Sequence, residues 1–155
     1  MKILDNPISL LVSTFISGER ALHFNPPIID GAPFDISTID SLPINKIDNI
    51  RKFYGAVSHY SLRTAGFSVI GTLLHEAFGN ACKLDQGLLR SNEQKIEALK
   101  TSAIHVVNSG MSSYLGNVGA LLFVSRPLPR MLLSSSLTLF LDRLGNELAP
   151  RLLSF

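Results

Sequence analysis

Proline divides this chain into two unlike parts. Five of its eight prolines (Pro7, Pro26, Pro27, Pro33 and Pro43) fall in the first 43 residues, and residues 44–126 contain none. Proline removes a backbone donor and clashes with the preceding helical turn, so a proline-free run of that length permits long helices. The first 43 residues are expected to be loop and short extended structure. Within them, Ile28-Ile29-Asp30-Gly31-Ala32-Pro33-Phe34 sets an Asp-Gly pair between apolar residues, the signal of a tight turn or of a short β-hairpin near 28–34, with two prolines before it and one after it weighing against a regular hairpin. The stretch Ile8–Ile16 reads as a short helix or a strand, with helix favoured.

After residue 44 the apolar residues recur at three- and four-residue steps. Asn45 is placed to cap a helix carrying Ile47, Ile50, Tyr54 and Val57. Near Tyr60–Ser61 a second stripe starts, through Leu62, Ala65, Gly66, Val69, Ile70, Leu73, Ala77 and Ala81; whether the first helix bends or stops there stays open. Gly87 marks a break. Ser91 then opens a third helix, with Gln94 in capping-box position. Its stripe is Ile96, Leu99, Ala103, Val106 and Val107, and Gly110 suits its end. A fourth helix carries Met111, Tyr114, Leu115, Val118, Leu121 and Leu122. The last holds Leu132, Leu133, Leu137, Leu139, Phe140, Leu141, Leu144 and Leu148, and Pro150 closes it. The expected fold is mainly α: a compact bundle of about five helices over 46–155, with an irregular, proline-rich N-terminal arm over 1–45 packed on its outside.

Composition narrows the function classes. The chain of 155 residues is 46% hydrophobic and 17% charged with a net charge of +2, so it is neither disordered nor strongly basic. One cysteine excludes an internal disulfide and a cysteine-built metal site. Charge is uneven: residues 1–45 carry two basic and five acidic groups, residues 46–155 twelve and seven. The nearest thing to a nucleic-acid stripe is Arg51-Lys52-Phe53-Tyr54, an ordinary solvated helix face, and no nucleic-acid partner is expected. Lys2 ahead of Ile8–Ile16 faintly resembles a signal peptide, but Asp5, Asn6 and Pro7 stand where positive charge belongs. The expectation is a protein that is cytoplasmic, or exported without a cleaved signal peptide, and that has no transmembrane helix: the longest stretch free of Asp, Glu, Lys and Arg, Thr101–Ser125, is interrupted by Asn108-Ser109-Gly110.

Catalytic patterns are thin. His59, His75 and His105 sit on separate helices, but helical geometry turns each away from its apolar stripe, so they are expected to be solvated and not to converge on a metal. Leu73-Leu74-His75-Glu76-Ala77-Phe78-Gly79 lacks the second histidine of a zinc-protease helix, since Gly79 stands there. Cys82 has no identifiable base, and Gly116-Asn117-Val118-Gly119 lacks the lysine of a phosphate loop. No catalytic residue, metal or cofactor is assigned.

Two features point to interaction instead. Small residues form rows: Ser61, Thr64, Ser68, Thr72 and Gly79 on one helix, Ser112, Gly116 and Gly119 on another, suited to close packing within the chain or against a partner. Across Ala103–Leu141 the only formal charges are Arg126 and Arg130, so the C-terminal helices are expected to leave an apolar face exposed. The expected function is a non-enzymatic protein-interaction module (an adaptor, a chaperone-like binder or a leaderless secreted bacterial effector) that meets another protein or itself through Tyr114, Phe123, Arg126, Arg130 and Phe140. The alternatives are a peripheral membrane-binding protein using an amphipathic hairpin at 111–148, and a helical-bundle hydrolase using His75 and Glu76.

Overall fold

A computed structural model describes residues 7–35 and 47–152; the expected cap at Asn45 and the signal-like features of Lys2 to Asn6 lie outside them. The order is α1 (Pro7–Leu22), β1 (Ile28–Ile29), β2 (Ala32–Pro33), α2 (Ile47–Asp85), α3 (Asn92–Phe123) and α4 (Pro127–Leu152). The hairpin sits where expected, β1 pairing antiparallel with β2 through Ile28↔Pro33 and Ile29↔Ala32. Its two-residue turn needs positive φ at both positions, and Asp30 (54°) and Gly31 (83°) supply it.

The helix count differs from expectation: four helices, not about five. The segment Ile8–Ile16 is helical, and the helix runs on to Leu22, so the arm's first half belongs to the bundle. The stripes at Ile47–Val57 and Leu62–Ala81 lie on one continuous 39-residue helix. The third and fourth stripes likewise share α3, which passes straight through Asn108-Ser109-Gly110. Those three residues do not end the helix because they are engaged across it. Asn108 reaches α4, Ser109 bonds Thr72 on α2, and Gly110 lies where a Cβ would strike Val69. The N-terminus of α3 follows the sequence signal, with a complete capping box between Ser91 and Gln94. Its C-terminus gives way to Pro127, which takes the first position of α4, where a missing N–H costs nothing.

The helices form a ring, α2 on α3, α3 on α4, α4 on α1 and α1 on α2, with α1 and α3 also touching across the middle. Cross-helix hydrogen bonds fix the register. Thr72 and Ser68 of α2 meet Ser109 and Ser113 of α3, while Asn117 of α3 meets Ser134 of α4.

What fills the ring reverses the expected polarity. The buried large apolar side chains are confined to one end, a cluster of Phe24, Phe53, Val57 and Leu121 with Phe34, Tyr60, Val118 and Leu122 against it. Elsewhere the interior is Ser13, Ser17, Ser61, Thr64, Ser68, Thr72, Ser109, Ser112, Ser113, Asn117, Ser134 and Thr138, all essentially inaccessible. Most large residues of the stripes expected to form the core face outward: Leu62, Ile70, Leu73, Ile96, Leu99, Val107, Met111, Leu115, Leu132, Leu139, Leu144 and Leu148 are exposed, while Val57, Ala65 and Leu121 of the same stripes are buried. The small-residue rows pack inside the chain. Gly116 shows how closely: a Cβ there would come within 2.9 Å of the Thr138 backbone nitrogen.

Candidate functional site

The interior positions recur in steps of three and four. On α4 the row is Arg130, Ser134, Thr138, Asp142 and Asn146, one residue per turn and all buried. On α2 it runs Val57, Ser61, Thr64, Ser68, Thr72 and Glu76; on α3, Ala98, His105, Ser109, Ser112 and Ser113. Short hydroxyl side chains let the helices approach, and several bond to neighbours rather than to water, while Ser17 Oγ and Ser61 Oγ are buried without a hydrogen-bond partner. Ser113 Oγ donates to Ser68 Oγ at 2.6 Å, Ser134 Oγ to the Ser17 carbonyl at 3.1 Å, and Asn117 Nδ2 to Ser134 Oγ at 3.2 Å.

At the end of the ring away from the phenylalanines this network carries ionisable groups. Glu76 accepts from Ser102 Oγ at 2.7 Å and pairs through Oε1 with His105 Nδ1 at 2.8 Å; both members of the pair are more than nine-tenths buried. Asn80 Nδ2 in turn donates to Ser102 Oγ at 2.9 Å. Asp142, 2% exposed, accepts from Ser13 Oγ at 3.0 Å and from Asn108 Nδ2 at 2.6 Å. Burial pushes the Asp142 carboxyl above the usual carboxylate range, opposed by the bond from Ser13, by the nearby His105 and by the bond from Asn108. The Nε2 atom of His105 is buried without a hydrogen-bond partner. Among the described residues no group of three or more His, Cys, Asp or Glu is placed to hold a metal ion.

This corrects the orientation expected for His105. Its companions on the helix face are Ser102 and Ser109 as the sequence indicated, but that face points inward because the apolar stripe points out. His59 is exposed and His75 half-buried, so the three histidines do not converge.

At the other end, Arg130 was expected at the rim of an apolar face and is instead 3% exposed. Its Nε donates to the Ala21 carbonyl and its Nη2 to that of Phe24, each at 2.8 Å, because the four-residue step from Ser134 aims it into the ring. Of the other residues expected to meet a partner, Phe123 is 80% exposed, Phe140 and Arg126 are exposed, and Tyr114 is half-buried with its hydroxyl 3.0 Å from Ser58 Oγ. They do not form one patch. The register set by Thr138 and Ser112 puts Phe140 about 20 Å along the bundle from Phe123.

The outer surface is the larger feature. Exposed Ile8, Leu11 and Phe15 on α1, Phe67, Leu74 and Phe78 on α2, Met111 and Leu115 on α3, and Leu132 and Phe140 on α4 spread apolar area over every helix. The uncharged zone is shared as well. Within residues 8–18, 64–82, 101–123 and 131–142 the only Asp, Glu, Lys or Arg are Glu76 and Asp142, and both point inward. The result is a belt without exposed formal charge, about 18 Å high on α4 and about 28 Å on α2. No helix of the described residues is long and apolar enough to cross a membrane, since each spends half its circumference on interior hydroxyls and amides. Comparison with protein families, with curated proteins and with solved structures finds no match to this chain.

Proposed function

We propose that the chain is a non-enzymatic membrane-associating module that sets its charge-poor belt against the acyl region of a lipid surface, with no single helix crossing it. The observation that supports this reading is the reversed polarity: hydroxyls and amides inside, Leu, Ile and Phe outside. Fully burying one such side chain contributes roughly 1.5–3 kcal/mol, so covering the exposed set adds tens of kcal/mol before association costs. Water offers none of that. Small residues at helix contacts, bridged by Ser, Thr and Asn, are how helices associate where the surroundings are as apolar as their own side chains. A protein partner covers one face, whereas the apolar side chains here lie on all four helices; lipid is the partner that meets them all.

Flotation with phosphatidylcholine vesicles tests the reading. The chain is expected to rise with the vesicles, and the double substitution Leu73→Ser, Phe78→Ser to reduce the floating fraction. Protein that stays at the bottom of the gradient and scatters light as one discrete oligomer would overturn the reading and favour self-association.

A further inference from the structure

Between the hairpin and the apolar end of the ring lies a cavity of about 280 Å³, lined chiefly by Phe24, Phe34, Phe53, Leu121 and Val124, with Arg130 at its wall. That volume stands close to the lower bound, about 300 Å³, of ordinary small-molecule sites. Arg130 is a charge taken out of water, and its burial lowers its proton affinity. Buried charges are ordinarily paired, yet among the described residues no carboxylate lies within ion-pairing distance of this one. Two backbone carbonyls and the face of Phe24, 5.3 Å from the guanidinium carbon, hold it in place. Among the described residues those bonds use two of the five N–H donors of a guanidinium, which leaves the Nη edge to face a planar anion. Asp35 also lines the cavity, but it is exposed and is not among the groups that perturb Arg130. A second cation reinforces the positive character of this end: Arg20 lies 4.5 Å over the ring of Tyr60, and its buried Nε lacks a hydrogen-bond partner.

We infer that this cavity binds a short single-chain amphiphile with an anionic head, the head on the Nη edge of Arg130 and the apolar chain among Phe24, Phe34, Phe53 and Leu121. A neutral alcohol of the same length fills the apolar part but leaves the guanidinium without a counter-charge, and an amine brings two positive charges together. The inference stands apart from the lipid-facing reading of the exterior, because the cavity lies inside the ring's end and not on the belt.

The test is methyl NMR on the full chain, following Leu121 and Val124 during titration with octanoate, octanol, octylamine and inorganic phosphate in turn. Octanoate is expected to shift both methyl sets saturably, with octanol at least about tenfold weaker, the value of one charge-assisted hydrogen bond. Octylamine and phosphate alone are expected to leave them unmoved. Arg130→Gln should erase the preference for octanoate over octanol. Because Arg130 also ties down α1, Val124→Trp serves as a second variant: it fills the cavity, leaves Arg130 untouched, and should abolish the Leu121 methyl shifts with helical content retained. Equal affinity for octanoate and octanol, saturation by phosphate alone, or octanoate binding that survives Val124→Trp would each overturn the inference.

Discussion

The two ends of the bundle are held together by different physics. Around Phe24, Phe53, Val57 and Leu121 the chain buries aromatic and aliphatic side chains, and Phe24 meets Tyr60 edge to face at 5.0 Å. Around Ser68, Thr72, Ser109, Ser113 and Thr138 it buries hydroxyls, and around Glu76, His105 and Asp142 it buries ionisable groups. Apolar packing tolerates loose geometry, since its strength follows the area removed from water. A buried polar network does not, because every donor or acceptor left without a partner costs its desolvation. The contrast teaches where the molecule is sensitive: to volume at one end, to partners at the other.

The largest effect is expected where a buried carboxyl group loses its imidazole partner. His105→Ala leaves Glu76 buried with Ser102 but without the imidazole, and should cost about 3–5 kcal/mol. Leu121→Ala at the apolar end should cost about 2–5 kcal/mol through transfer and cavity terms. Denaturation in lipid or detergent measures both. The two differ in their remedy: a Leu121→Met change should restore most of the loss, while His105→Leu, of similar bulk, should restore little because the bond between Glu76 and the imidazole is still gone.

The next contrast is between inside and outside. Ser68→Leu forces a large side chain into an inaccessible site beside Ser113 and is expected to destabilise by about 1–3 kcal/mol. Leu73→Ser on the exposed side, measured in buffer without lipid or detergent, should change stability by less than about 0.5 kcal/mol. A bundle with its apolar stripes inside would show the opposite ranking in the same denaturation experiment.

The smallest effect is the pH dependence of the ionisable end. Because burial raises the Asp142 pKa in the folded chain, the folded state holds a proton that the unfolded state has released. The stabilisation this gives is fully present at acid pH and is lost as pH rises through the raised value. Denaturation midpoints should therefore fall as pH increases, and Asp142→Asn should remove that part of the slope. A slope unchanged by the substitution would show that Asp142 does not titrate in this way.

Much of the scaffold was legible in the sequence. Proline placement marked out the long helices, Asp30-Gly31 the hairpin turn, and Ser91 with Gln94 the start of α3. The small-residue rows were legible as faces too, including the company His105 keeps with Ser102 and Ser109. What periodicity does not reveal is which face turns inward. A stripe of Leu and Ile opposite a stripe of Ser and Thr has the same period whether the medium is water or lipid, so sign is lost while spacing survives. Glu76 stands out beside His75 in the sequence, but its inward place, like that of Asp142, follows only from continuing the Ser68–Thr72 and Ser134–Thr138 rows one further turn. Arg130 belongs to the same α4 row at its other end; it was expected to meet a partner at the surface and is an interior residue.

The hydroxyl-filled interior also bears on calorimetry. Unfolding normally raises the heat capacity because newly wetted hydrocarbon outweighs newly wetted amide and hydroxyl, which lower it. Opening the serine-rich stretch of this ring wets mostly the second kind. Its melting should therefore carry a small heat-capacity increment for its length, and its free energy should vary only gently between cold and warm conditions.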